Sequence, residues 1–154
     1  AMSRRQRQMC IRDSYAHSPK ALEIVLKSIR SFSSGDIICI FGCGGERDTG
    51  KRPNMGRIAE KFSNKLIITN DNPRLEDPNK IKEDITKGIS KVSKTHFIPD
   101  RKEAIQFGLK LLNKSKKGST LLIAGKGHEN YQEMKDKRIY FSDKNAIEEI
   151  INVS

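Results

Sequence analysis

Three short stretches of this chain carry residue types that could grip a charged small molecule. The first, Gly42-Cys-Gly-Gly-Glu-Arg-Asp-Thr-Gly-Lys-Arg52, sets permissive glycines beside Arg47, Asp48, Lys51 and Arg52. It is not a dinucleotide fingerprint, because G-x-G-x-x-G would need glycine where Arg47 stands. It is not a Walker loop either. Gly45, Gly50 and Lys51 fit G-x-x-x-x-G-K, but Arg52 occupies the position whose hydroxyl must hold Mg²⁺. What remains is a loop that gathers charge toward an anionic ligand. The second stretch, Asn70-Asp-Asn-Pro-Arg74, has the composition of an ordinary turn. Pro73 stiffens it and should hold Asn72 and Arg74 in fixed directions. In the third, Gly125-Lys-Gly-His-Glu129, two glycines allow close backbone approach and His128 with Glu129 adds a titratable pair.

The elements around these stretches explain why they should meet. Leu22, Val25, Leu26 and Ile29 recur with helical period behind Pro19, and Asp36–Phe41 is a short apolar run suited to a strand buried on both faces. A helix follows near Asn54–Phe62, introduced by Pro53, then a strand at Lys65–Thr69. Asp77 and Pro78 read as the N-cap and first turn of a helix ending near Gly88. Thr95–Pro99 is a third strand, with a helix carrying Ile105, Leu109 and Leu112 after it. Thr120–Ala124 is a fourth strand, Ile139–Phe141 a short fifth, and Ala146, Ile147, Ile150 and Ile151 line a last helix. Alternating strands and helices imply an α/β fold: a Rossmann-like, doubly wound, mostly parallel sheet of five to six strands. Ligands of such sheets bind beyond the carboxyl ends of the strands. Those ends are Gly42–Arg47, Asn70–Arg74, Asp100–Arg101 and Gly125–Glu129, which is where the glycines and charges gather.

At 154 residues the chain suits one domain with one sizeable core. No run of about 18 apolar residues is present to span a membrane, and no apolar stretch follows the basic N-terminus to make a signal peptide. Three cysteines, Cys10, Cys39 and Cys43, lack metal-ligand spacing and suit a reducing compartment, so no metal site and a cytoplasmic location are expected. Cys39 reads as a small core residue and His96 as structural. A formal charge of +11 raises the alternative of a nucleic-acid-binding module. Yet most of the excess is scattered lysine, and three tyrosines with no tryptophan offer little for base stacking. A solvated lysine-rich surface is the reading preferred here. Ala1–Ser14, with four arginines and no apolar period, is expected to be a poorly ordered appended tail before a domain spanning 15–154.

Phe41 through Gly56, Thr69-Asn-Asp-Asn-Pro-Arg74 and Ala124-Gly-Lys-Gly-His-Glu-Asn-Tyr-Gln132 together resemble the C-terminal domain of the Mur ligases, in the tripeptide-forming type that adds meso-diaminopimelate. Tyr15-Ala-His-Ser-Pro19 is similar to the family's Asp-Tyr-Ala-His-Thr-Pro segment, with Ser14 in place of the aspartate. The resemblance runs from about Tyr15 to the end and finds no counterpart for Ala1–Ser14.

The resemblance implies an ATP- and Mg²⁺-dependent ligase of peptidoglycan synthesis. It would convert the carboxylate of UDP-MurNAc-L-Ala-D-Glu into an acyl phosphate for attack by the incoming amine. It places the nucleotide-sugar and ATPase domains outside these residues, so this chain alone should not catalyse and contains no catalytic residue. Arg47, Asp71, Asn72, Pro73, Arg74, Gly125 and Glu129 match positions that hold meso-diaminopimelate, and His17 and Asp48 positions on the nucleotide side. The residue chemistry agrees. The distal carboxylate of diaminopimelate suits the planar guanidinium of Arg74, its ammonium suits Glu129, and the two would sit on neighbouring strand ends. A folate polyglutamylating ligase shares the fold implied, but Asn-Pro-Arg with Gly-Lys-Gly-His-Glu argues against it.

Overall fold

The apolar runs at Ile37–Phe41 (β2), Lys65–Ile68 (β3) and Thr120–Ala124 (β5) are almost wholly buried, because helices cover both faces of the sheet they form. The computed structural model describes residues 10–45, 48–127, 129, 131–134 and 137–153. Within them, Cys10–Ser14 (β1) and Thr95–Phe97 (β4) complete a five-stranded sheet of order β1-β5-β2-β3-β4, every pair parallel. The α/β, Rossmann-like expectation holds.

Pro19–Phe32 (α1), Lys51–Phe62 (α2) and Pro78–Thr86 (α3) pack on one face. There Leu22, Leu26, Met55, Ala59, Ile81 and Ile85 meet Ile37, Cys39 and Phe41. Arg101–Lys114 (α4) and Asp143–Val153 (α5) cover the other, where Ala104, Ile105, Leu109 and Leu112 meet Ile38, Ile40, Leu121 and Ile123. The alternation of side chains along β2 splits its residues between these two cores. Ser18, Asp77 and Asp100 cap α1, α3 and α4 through their side chains, as the turn residues before each helix dictate.

Two expectations about the sheet are corrected. Cys10–Ser14 is not part of a tail but an edge strand in register with β5, from Cys10 opposite Thr120 to Ser14 opposite Ala124. Arg12 and Asp13 are exposed there because an edge strand faces water, which removes the apolar pattern that marks a buried strand. Residues 1–9 lie outside the described residues. The segment around Ile139 does not join the main sheet. Tyr131–Met134 (β6) and Lys137–Tyr140 (β7) form a separate antiparallel hairpin, with Ile139 exposed opposite Gln132. Phe141 lies just past β7 and packs on the α4/α5 core. No helix among the described residues is long and apolar enough to cross a membrane.

Candidate functional site

A cleft of about 320 Å³ opens at the carboxyl end of the sheet, lined by His17, Gly44, Lys51, Asp71, Asn72, Arg74, Gly125 and Glu129. Its size suits a small molecule. Seven of the residues singled out from sequence line it together: His17, Lys51, Asp71, Asn72, Arg74, Gly125 and Glu129. Asp48 is exposed and accepts from Gly50 N at 2.9 Å, outside the lining. Arg47 and His128 lie outside the described residues. Arg74 and Glu129 do not follow adjacent strands, since β2 runs between β3 and β5, and they line the cleft from either side of its end.

Close packing of three loops builds the walls. Gly45 N donates to Asn72 O at 2.7 Å, and a Cβ at Gly45 would strike the Pro73 carbonyl, so only glycine lets these loops touch. Pro73 is buried and supports the cleft from behind rather than lining it. On the other wall Gly125 adopts φ 117° and Gly127 φ 55°, conformations that favour glycine. Both of their N–H groups donate to Ser14 O, at 2.8 and 3.1 Å, so β1 anchors this loop. The Tyr15 ring lies where a side chain at Gly127 would have to go.

Lys126, between those glycines, is fully buried and points inward. Its Nζ donates to Asn72 Oδ1 at 3.0 Å and to Tyr131 O at 2.7 Å, binding the Asn70–Arg74 loop to the Gly125–Glu129 loop. Asp71 Oδ1 lies 3.4 Å away and Glu129 Oε1 3.9 Å away. Burial pushes the Lys126 ammonium below its ordinary pKa, against the opposing pull of Asp71. The Asp71 contact is an ion pair without hydrogen-bond alignment, and Asp71 Oδ1 has no hydrogen-bond partner among the described residues. A buried carboxylate oxygen lacking a donor is suited to receive one from a ligand.

Arg74 is the one non-glycine residue among those described with a positive φ, at 56°. Its Nε donates to Glu133 Oε2 at 2.7 Å, and its Nη1 to Gly45 O at 2.9 Å and Asn72 O at 3.3 Å. The hairpin holds this loop further through Gln132, whose Nε2 donates to Asp71 O at 2.7 Å. Lys126, Gln132 and Glu133 were not singled out from sequence. Nothing local shows that a lysine between two glycines turns inward, and a polar strand residue reads as surface.

Two arginines expected at this end have other work. Arg52 is fully buried, with Nη1 and Nη2 on the Glu76 carboxylate at 2.6 and 2.8 Å and Nη1 on Asp84 Oδ2 at 3.0 Å. The hydrogen bond from Lys80, with those from Arg52 and Lys87, outweighs burial and holds the Asp84 carboxyl at about 2. Arg101 is also buried and grips Asp143, the first residue of α5, with Nε and Nη2 at 2.7 and 2.8 Å. Burial works against its charge, and Asp143 more than restores it. Cys39 and Cys43 are buried too, and burial pushes both thiols up to about 12, so neither serves as a nucleophile. His96 is exposed, its ring edge-on to Phe107 at 4.7 Å.

A parallel sheet with a charged cleft across its strand ends is the α/β architecture whose ligands bind beyond the strand ends. Residues 2–127 match the family model described as Mur ligase, glutamate ligase domain, and the chain belongs to that family. The match begins inside the stretch expected to have no counterpart. The chain is 50% identical over 130 residues to the UDP-N-acetylmuramoyl-L-alanyl-D-glutamate--2,6-diaminopimelate ligase of Prochlorococcus marinus (strain NATL1A), covering 84% of this chain. It spans only about a quarter of that relative's length, 25%. A solved structure of a ligase with the same name superposes with a TM-score of 0.88 at 41% identity, over 95% of this chain and 30% of the other. Mycobacterium tuberculosis folylpolyglutamate synthase superposes at 0.56 with 14% identity, over 71% of this chain and 25% of that one, a likeness of fold alone.

Proposed function

We propose that this chain is the amino-acid-binding part of an ATP-dependent ligase that joins meso-diaminopimelate to UDP-MurNAc-L-Ala-D-Glu in cytoplasmic peptidoglycan synthesis. The observation that carries this reading is one cleft whose lining brings Arg74 together with Asp71 and Glu129. That arrangement complements the distal end of diaminopimelate, which offers a carboxylate to the arginine and an ammonium to the acids. Asn72 and Gly125 complete the lining, Pro73 braces it, and Arg47 belongs to the same reading. The name of the Prochlorococcus relative points the same way. Folate glutamylation has only a likeness of fold behind it.

The described residues do not fit a phosphate loop or a Mg²⁺ site. Arg52, at the hydroxyl position, is committed to Glu76 and Asp84, and Lys51 Nζ donates to His17 O at 2.8 Å. The reading therefore assigns ATP and Mg²⁺ mainly to the rest of a longer enzyme, with His17 and Asp48 as contacts toward the nucleotide. This chain would hold the amine for attack and would not turn over ATP alone.

The test is an NMR titration of the chain with meso-diaminopimelate and with L-lysine, in wild type and Arg74→Ala. Diaminopimelate should shift the signals of Asn72, Arg74, Gly125 and Glu129. Loss of a hydrogen bond to a charged group contributes about 1.5–3 kcal/mol, so Arg74→Ala should weaken binding roughly 10- to 150-fold. Equal binding of lysine by wild type would overturn the substrate assignment.

A further inference from the structure

Glu133 closes on the Asn70–Arg74 loop with its main chain and its side chain together. Arg74 N donates to Glu133 O at 3.0 Å, and Glu133 N donates to Asn72 Oδ1 at 2.9 Å. Its carboxylate oxygen Oε2 takes the Arg74 Nε–H, while Oε1 takes the Arg138 Nε–H at 3.2 Å and lies 3.1 Å from Arg138 Nη2 in an ion pair. The three side chains thus form a row of alternating charge, Arg138, Glu133, Arg74, that keeps one positive charge over and ends at the cleft. Without Arg138 the Glu133 carboxylate would cancel Arg74. With it, Arg74 is held in place and still presents a net charge. Arg74 needs holding, because its left-handed backbone is one that L side chains rarely adopt. Nε and Nη1 are spent on Glu133, Gly45 and Asn72, and Nη2 has no partner among the described residues.

We propose that Glu133 is a positioning residue that sets selectivity for an amino acid with a distal carboxylate, by fixing the Arg74 guanidinium with its unspent Nη2 available to the ligand. The inference rests on the function proposed above. A guanidinium fixed in plane loses less freedom on binding and offers its fork in one orientation, which favours a planar carboxylate over a ligand that lacks one. Glu133 acts on the ligand only through Arg74.

The test uses the 154-residue chain with Glu133→Gln and Glu133→Asp, titrated by NMR with meso-diaminopimelate and L-lysine, while the Arg74 Nε–H signal reports hydrogen exchange. Glu133→Gln should weaken diaminopimelate about tenfold, leave lysine unchanged and speed exchange at Arg74 Nε–H, with Glu133→Asp recovering part of each. A residue that merely stabilises the fold would weaken both ligands alike. Tighter diaminopimelate binding by Glu133→Gln would make Glu133 a competitor of the ligand and overturn the inference. So would unchanged selectivity once the Nε–H signal is lost. If Glu133→Gln does not fold, Glu133→Asp carries the same comparison, since its main-chain bonds are untouched. Wild type that fails to prefer diaminopimelate would overturn the functional reading, and the inference with it, before any variant is made.

Discussion

Arg101 and Arg74 stand just beyond the ends of adjacent strands, β4 and β3, and each is paired with a carboxylate from a later element. Arg101 and Asp143 are fully sealed, at 0% side-chain exposure on both sides. Arg101 Nη1 and Nη2 also reach Asn70 O at 3.2 Å and Ala124 O at 3.3 Å, so the residue ties the loop after β3 to the end of β5 from within. Arg74 keeps 19% side-chain exposure and Glu133 21%, and Arg74 lines the cleft. The same guanidinium–carboxylate chemistry is a rivet where water is excluded and, in the function proposed above, a recognition element where one edge stays open. Seclusion, not residue type, separates the two roles.

Urea unfolding of Arg101→Ala and Arg74→Ala is the strongest way to break that comparison. Arg101→Ala leaves the Asp143 carboxylate buried and uncompensated, so a loss of about 3–5 kcal/mol is expected. Arg74→Ala removes a part-exposed pair and should cost about 1 kcal/mol or less. Similar losses from the two would mean that Arg74 is as structural as Arg101.

A pH series sharpens the sealed side. The Asp84 carboxyl sits at about 2 against an ordinary 3.8, held down by Lys80, Arg52 and Lys87. Its folded pKa is depressed, so its contribution is complete above about pH 4 and fades as pH falls toward 2. The amount is about 2 kcal/mol. Asp84→Asn should lower stability at neutral pH and flatten this acid limb. An acid limb as steep as wild type would show that other carboxylates cause it.

The open side is sharpened by removing residues 1–14. Because β1 pairs with β5 and Ser14 O receives Gly125 N and Gly127 N, truncation should cost about 1 kcal/mol or more. At this size that lowers Tm by about 2–4 °C for each kcal/mol. The Gly125 and Gly127 amide signals should shift as well. A Tm within about a degree of the intact chain would show that β1 contributes little.

The apolar runs of β2, β3 and β5 were legible in the sequence because they lie between two layers of helix, where all but the opening positions Lys65 and Thr120 are apolar. Cys10–Ser14 was not, since an edge strand can carry Arg12 and Asp13 in solvent. Loop composition located the cleft, for Asn70–Arg74 and Gly125–Glu129 do come together there. Loop composition could not say which charges turn inward. Arg52 and Arg101 read as ligand-facing and, like Lys126, are buried structural ties, because their partners Glu76, Asp143 and Asn72 are distant in sequence. Glu133 escaped notice for the same reason: nothing local links it to Arg74, 59 residues away.

The strand order has a consequence for how the chain comes to exist. β5 lies between β1 and β2, yet residues 120–124 emerge from the ribosome long after both. Until then β2 can pair with β3 on one side only, and β1 has no neighbour in the sheet. Nascent chains therefore carry two unpaired strand edges, one of them the wholly apolar Ile37–Phe41, until residues 120–124 are made. Co-translational protection of those edges matters most before residue 120, and the cleft that Gly125 and Glu129 help to line cannot close before them.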